Sequence, residues 1–310
     1  MKDPVSIGGA HLFEGDALTL YERWPQPTAI IVDGPYGIGG YPGDPATVDG
    51  LPDHYRPHAR AWSDRALPET TLWFWGTELG WATVHPELLA AGWTYRCFHT
   101  WNKGIAHVAG NVNSKTIRRM PVVTECCVQY VRDVKLPSGE EKLPLQQWLR
   151  AEWLRSGLPL SETNTAAGVK NAATRKYFTA DHHWYFPPAE VMERIVNYAN
   201  RRGRPEGRPY FSLDGRTPVT AAQWSRMRAK WNHTHGLTNV WSEPAVRGKE
   251  RLKTAAGDGE EAAQKRNALR VLHSCQKPLS LMERIVLACT DPGDVVWEPF
   301  GGLASASVAA

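Results

Sequence analysis

Thr28-Ala29-Ile30-Ile31-Val32-Asp33-Gly34-Pro35-Tyr36-Gly37 is the stretch on which the fold turns. Its first five residues are aliphatic or β-branched without polar alternation, which predicts a strand buried on both faces, as in a parallel sheet covered by helices. Asp33-Gly34-Pro35 then forces a turn. Residues 70–76, Thr-Thr-Leu-Trp-Phe-Trp-Gly, predict a second buried strand, with helical spacing over 81–91 and further strands over 94–101 and 125–131. The tail repeats the pattern: an amphipathic helix over Leu279–Cys289, a turn at Asp291-Pro292-Gly293-Asp294, a strand over 295–297, then Glu298-Pro299-Phe300-Gly301-Gly302. Strands alternating with helices predict an α/β domain built on a mostly parallel sheet.

The remaining properties narrow the class. A 310-residue chain with 42% hydrophobic and 22% charged residues has room for one large domain or two ordinary ones. It carries no apolar run long enough to span a bilayer, so no membrane association is expected. The N-terminal residues lack the apolar core of a secretory signal, and a cytoplasmic location is expected. Cys97, Cys126, Cys127, Cys275 and Cys289 form no CxxC pair and no disulfide framework, and no metal site is expected. Of 14 tryptophans, most are expected in the core and some on surfaces that stack on bases.

Residues 133–270 break the alternation. Helical segments over Leu145–Ser156 and 191–202 are separated by Pro, Gly and charged residues, which predicts an inserted, mainly helical domain. Between Lys170 and Arg251 stand 15 Lys or Arg against 7 Asp or Glu, a net charge of +8 in a chain whose total is +4. A basic segment interleaved with aromatics suits a phosphate-tracking surface, although a solvated helix face has the same composition. A short helix stopping near Gly168 and a second, basic helix over residues 170–178 have the layout of a helix-turn-helix, with Lys170, Arg175 and Lys176 as candidate DNA contacts. Residues 253–268 predict a polar loop, and the Gly-, Pro- and His-rich residues 37–68 a mobile one that closes over substrate.

Several stretches, in order, carry a resemblance. Asp33-Gly34-Pro35-Tyr36 resembles the Asp/Ser-Pro-Pro-Tyr motif of the amino-group DNA methyltransferases, in the permuted order where the catalytic motif precedes the cofactor motif. Glu14-Gly15-Asp16-Ala17-Leu18 resembles the acidic turn before it. Trp101-Asn102-Lys103 and Thr124-Glu125 through Tyr130 resemble later sheet motifs. Asn239-Val240-Trp241 and Arg247-Gly248-Lys249-Glu250-Arg251 lead to His273-Ser274-Cys275-Gln276-Lys277-Pro278 and Glu298-Pro299-Phe300-Gly301-Gly302, which are similar to His-Pro-Thr-Gln-Lys-Pro and Asp-Pro-Phe-x-Gly-x-Gly.

The resemblance implies a class I methyltransferase-like (Rossmann-like) α/β domain from residues 1–132 and 271–310, interrupted by a target-recognition domain over 133–270. It implies S-adenosyl-L-methionine as cofactor and cytosine N4 or adenine N6 of double-stranded DNA as target. An exocyclic amino nitrogen donates its lone pair into the base ring and is a poor nucleophile until acceptors draw it towards tetrahedral geometry. Asp33 and the Gly34 carbonyl are the implied acceptors, Pro35 stiffens the turn, and the Tyr36 ring stacks on a base that has left the duplex. Asp16, Ser274, Lys277, Glu298, Phe300, Gly301 and Gly302 are the implied cofactor contacts. Three departures stand out: Gly34 for the first proline, expected to loosen the loop; Glu298 for Asp, with Ala304 where the last Gly belongs; and the end of the sequence at Ala310, before any strand with a carboxylate for the cofactor ribose. An inactive methyltransferase core that binds DNA, and the same chemistry on RNA or protein, are the alternatives. A cognate restriction endonuclease and the oligomeric state stay open.

Overall fold

The computed structural model describes residues 3–40, 43–108, 116–170, 173–205, 207–247, 251–254, 270–271 and 275–310. The chain divides into two compact units, Met1–Val131 with Lys230–Ala310, and Arg132–Ala229. In chain order the first stretch runs β1 (Val5–Ile7), β2 (Ala10–Leu12), β3 (Ala29–Val32), α1 (Leu51–Arg65), β4 (Thr71–Gly76), α2 (Glu78–Ala90), β5 (Trp93–Asn102) and β6 (Thr124–Arg132). There follow β7 (Lys135–Ser138), β8 (Glu141–Pro144), α3 (Leu145–Ser156), α4 (Leu160–Ala167), α5 (Thr174–Tyr177), α6 (Ala189–Arg202) and α7 (Ala221–Ser225). The last stretch holds β9 (Val240–Ser242), β10 (Lys253–Thr254), β11 (Arg270–Val271), α8 (Leu279–Cys289), β12 (Val296–Trp297) and α9 (Ser305–Ala309).

The first unit carries a six-stranded sheet in the order β12-β3-β4-β6-β5-β9. Strands β12, β3 and β4 are parallel, β5 and β9 are parallel to each other, and β6 runs antiparallel to β4. The α/β class and mostly parallel sheet are therefore as expected. Alternate residues of each buried strand feed opposite cores. Ile30, Val32, Leu72 and Phe74 pack with Leu51, Tyr55 and Trp62 of α1 and Val84 and Leu88 of α2. Ala29, Ile31, Trp73 and Trp75 pack with Leu281, Met282 and Ile285 of α8 and Ala306 of α9. Helices on both faces explain the unbroken apolar runs. The register of β6 on β4 sets Cys126 opposite Gly76 and Cys127 opposite Trp75, so the two adjacent cysteines enter different cores.

Two expectations are corrected. Residues 37–68 are not one mobile loop, because Leu51–Arg65 is the helix α1. Its buried Leu51, Tyr55, His58, Ala59 and Trp62 recur at helical spacing, a stripe obscured by two prolines. One lies in the first turn, where its missing N–H costs nothing, and Pro57 sits on the exposed side. Upstream of α1, the Asp44 carboxylate accepts from the amides of Gly37, Ile38 and Gly40 and gathers that backbone.

The second correction is the end of the insert, at Ala229 and not at 270. Residues from Lys230 onward rejoin the sheet unit because Trp241 of β9 is buried beside Trp75 and β9 pairs with β5. Most of the polar stretch expected as a loop, residues 255–268, lies outside the described residues.

The second unit has its own core, formed by Trp148 and Leu149 of α3, Met192, Ile195 and Val196 of α6, and Phe178, Phe211 and Trp224. A hairpin, β7 with β8, turns at Gly139, whose φ of +65° suits a tight two-residue connection. Helix α4 stops at Gly168 in the left-handed conformation, as expected. Of the second, basic helix expected over residues 170–178, the described residues form only the single turn α5, with Thr174 and Tyr177 buried. Lys170, Arg175 and Lys176 are exposed. One turn is too short to present a recognition face, and among the described residues there is no helix-turn-helix layout.

Candidate active site

Parallel sheets bind ligands beyond the carboxyl ends of their strands, where neighbouring strands send their connections to opposite faces. That condition is met between β3 and β12. The segment after β3 leads to α1 on one face, and the segment after β12 leads to α9 on the other. Asp33 follows β3 and Glu298 follows β12, and a cleft lined by Asp33, Lys277, Glu298, Phe300, Gly301 and Gly302 opens between them. A Cβ built on Gly301 finds nothing closer than the Glu298 carbonyl at 4.0 Å, so the backbone there faces open space.

Two carboxylates and two lysines form the polar centre of the site. Lys277 Nζ, buried at 4% exposure, donates to Asp33 Oδ1 at 2.8 Å and Oδ2 at 3.0 Å and lies 3.4 Å from Glu125 Oε2. Glu125 is also paired with Lys103, whose ammonium lies over the Trp101 ring. The Tyr36 hydroxyl donates to Asp33 Oδ1 at 3.0 Å and stands 3.3 Å from Glu125 Oε2. Burial alone would lower the Lys277 pKa, but the charges of Asp33 and Glu125 outweigh it and hold the ammonium above its ordinary value. For Glu125 burial raises the pKa, and Lys277 and Lys103 more than reverse it, leaving the carboxyl below its ordinary range. Burial, then the two carboxylates, push the Tyr36 phenol well above its usual value, so it remains a donor.

The Asp33-Gly34-Pro35-Tyr36 turn is braced, where the sequence suggested a looser loop. The Tyr55 hydroxyl of α1 donates to the Pro35 carbonyl at 2.8 Å. A Cβ on Gly34 would stand 2.6 Å from the Tyr55 oxygen and 2.7 Å from the Phe300 ring, so a side chain has no room there. Glycine at this position is what lets the Asp33–Tyr36 turn and the Phe300 ring meet.

The other expected residues fare differently. Glu298 accepts from the amides of Ala306 and Ser307 and the Ser307 hydroxyl, so its carboxylate anchors α9. Burial raises its pKa against these bonds. Asp16 stands apart from the cleft lining and caps a short turn through the Leu18 amide. Ser274 lies outside the described residues. Lys170, Arg175 and Lys176 belong to the second unit. Ala304 occupies the left-handed region at φ +55°, ψ +40°, which costs a non-glycine residue about 1–2 kcal/mol. We expect Ala304→Gly to raise stability by about 0.5–1 kcal/mol, after part of that relief is offset by a freer unfolded chain. An unchanged or lower denaturation midpoint would show that the strain is absent.

Sequence reasoning gave no role to Glu125, Lys103 or Tyr55. Glu125 begins a strand, and strand beginnings normally lie away from the ligand edge. It reaches the site because β6 is antiparallel to β4, a direction that residue types do not encode. The Tyr36 hydroxyl was also passed over in favour of the ring. We expect Tyr36→Phe to lower turnover about tenfold through loss of a hydrogen bond to a carboxylate. With the ring stacked on a base, as the resemblance implies, Tyr36→Ala would cost a further ~1–3 kcal/mol. Equal turnover in the Phe variant and the unaltered protein would remove the hydroxyl from the site's function.

Among solved structures, the chain is similar to M1.HpyAVI in complex with SAM, at 14% identity over 96% of this chain and 86% of that one, with a TM-score of 0.40. It is also similar to TTHA0409 of Thermus thermophilus complexed with S-adenosyl-L-methionine (14% identity, 96% and 82% covered, TM-score 0.40). A third similarity is to the cytosine-N4-specific PvuII DNA methyltransferase (12% identity, 96% and 76% covered, TM-score 0.45). The family model N6_N4_Mtase, described as DNA methylase, matches residues 69–310, beginning downstream of Asp33–Tyr36. On that match the chain belongs to the N6/N4 family of DNA methylases.

Proposed function

We propose that this chain transfers a methyl group from S-adenosyl-L-methionine to the exocyclic amino nitrogen of a base in double-stranded DNA, cytosine N4 or adenine N6. The observation that carries the reading is the Asp33-Gly34-Pro35-Tyr36 turn at the carboxyl end of β3, beside the glycine-lined cleft at the end of β12. The residues fit the cofactor: Gly301 leaves the cleft open at the backbone, and Phe300 supplies an apolar wall. When bound, S-adenosyl-L-methionine supplies a methyl group on a positively charged sulfur. Asp33 and the Gly34 carbonyl accept the amino hydrogens, which draws the nitrogen lone pair out of conjugation. Held against Phe300 and Gly301, the cofactor would give up its methyl group to the nitrogen and keep the C–S electron pair as a neutral thioether, and the proton lost from the nitrogen would pass to Asp33 or solvent. Tyr36 stacks on the base, which must leave the helix to reach this depth. No cysteine nucleophile enters this scheme.

Incubation with labelled cofactor and unmethylated duplex DNA, followed by hydrolysis to nucleosides, tests the reading. N4-methylcytosine or N6-methyladenine is the expected product and also names the base. A C5-methylated base or no incorporation overturns it.

We assign target recognition to the second unit, supported by its basic composition. Part of that charge has structural work: Arg208 pairs with Glu152, Arg194 donates to the Ala167 carbonyl and Arg228 lies over Phe186. The exposed Lys170, Arg175 and Lys176 are the phosphate contacts in this reading. Log affinity for DNA falls with log salt at a slope of about −0.9 per phosphate neutralised. We expect neutralising all three to flatten that slope and to weaken specific and non-specific DNA alike. An unchanged slope would make them a solvated surface.

A further inference from the structure

Lys277 is the most confined charge in the site. Its ammonium faces three carboxylate oxygens, Asp33 Oδ1 and Oδ2 at 2.8 and 3.0 Å and Glu125 Oε2 at 3.4 Å. The rings of Tyr36 and Trp75 flank it at 5.2 and 5.4 Å. Both oxygens of Asp33 are thus engaged by Lys277, and Oδ1 a second time by the Tyr36 hydroxyl. To draw the lone pair of a target amino group out of its ring, Asp33 needs acceptor capacity returned to it. An ammonium held against Asp33 also opposes the positive charge that builds on the alkylated nitrogen. Lys277 cannot simply be released, because a buried charge without a partner is strongly unfavourable.

The arrangement already contains a second place for it. Glu125 lies across the ammonium from Asp33 and is itself fixed by Lys103. Resting on the amino-methyltransferase reading, we propose that Glu125 is a positioning residue that takes Lys277 over from Asp33 as the target amino group enters. The movement needed is a few tenths of an ångström to about 1 Å, from a 3.4 Å separation to ordinary hydrogen-bond length. Lys277 stays protonated throughout, no proton is exchanged between the two carboxylates, and the four charges of Asp33, Lys277, Glu125 and Lys103 remain balanced. Asp33 then turns its oxygens to the base without stranding a buried cation.

The test compares turnover at saturating cofactor and DNA in the full chain, in Glu125→Gln, in Lys277→Met and in the double variant. In Glu125→Gln the ammonium has only Asp33 as a carboxylate partner, and turnover should fall on the order of 10²-fold, the scale of a misplaced reacting group, with cofactor KM within a few-fold. Removing the ammonium as well should restore turnover at least about tenfold over Glu125→Gln alone, because no cation then competes for Asp33. A double variant no more active than Glu125→Gln overturns the handover, since a merely structural Glu125 gives that result. If Glu125→Gln does not fold, Glu125→Asp draws the charge back by one methylene, and the same comparison with and without Lys277→Met carries the test. Methylation by the unaltered protein in the same assay tests the underlying reading separately.

Discussion

Asp33→Ala should abolish methyl transfer to a first approximation, lowering turnover on the order of 10²–10³, while cofactor affinity stays within a few-fold. In the proposed reaction this carboxylate accepts from the amino group that enters the cleft, and without substrate its oxygens are held by Lys277 and Tyr36. The alanine variant also takes from Lys277 its nearer partner, so some loss of stability should accompany the loss of rate. Asp33→Asn separates the effects: it preserves shape and one acceptor oxygen but removes the charge. Turnover near that of the unaltered protein in the asparagine variant would take Asp33 out of the chemistry, whatever the alanine variant does.

The largest effect on stability is expected at Glu152, in the second unit. Its side chain is 1% exposed and receives Arg155 at 2.7 Å, Arg208 at 2.6 Å and the Phe211 amide at 2.8 Å. Glu152→Ala leaves two guanidiniums without their shared carboxylate, and breaking a buried pair of this kind typically costs about 3–5 kcal/mol. The loss should appear as lowered hydrogen-exchange protection across residues 132–229; protection equal to the unaltered protein would contradict it. The pH dependence has a definite sign. Burial alone would raise the Glu152 pKa, but Arg155, Arg208 and the Phe211 amide hold it below the ordinary carboxyl range. The contribution is therefore complete above the unfolded carboxyl's pKa and is lost as pH falls through the lower folded value.

The sheet and its ligand edge were legible because they depend on local chemistry. Residues 28–32 and 70–76 are apolar on both faces, and only a sheet covered twice accepts such strands. Asp33 and Glu298 could be assigned to one edge because each directly follows a strand of that kind. Helix α1 was hidden by Pro52 and Pro57, whose usual reading as breakers outweighed the spacing of Tyr55, Ala59 and Trp62. The reach of the insert was overestimated because β9 is only three residues long and owes its place to one buried tryptophan. Gly34 was read as loosening the turn, whereas its meaning depends on Tyr55 and Phe300, which tertiary structure alone brings against it.

The adjacent cysteines of β6 bear on how faithfully the site is assembled. Shifting a strand by one residue exchanges its two faces. Cys126 and Cys127 have the same volume, so these two positions do not by themselves distinguish the right pairing from its neighbour, although the wrong one would carry Glu125 to the opposite side, away from Lys103 and Lys277. The distinction is made farther along the strand. Tyr130 is tied through its hydroxyl to Trp81 and His85, each at 2.7 Å, a pairing that a shifted strand cannot reproduce. Five residues of strand, about 17 Å, separate that checkpoint from the carboxylate it places. The register that brings Glu125 to its two lysines is thus reinforced by a tyrosine five residues away, and refolding quality is better gauged by specific activity than by yield of soluble chain.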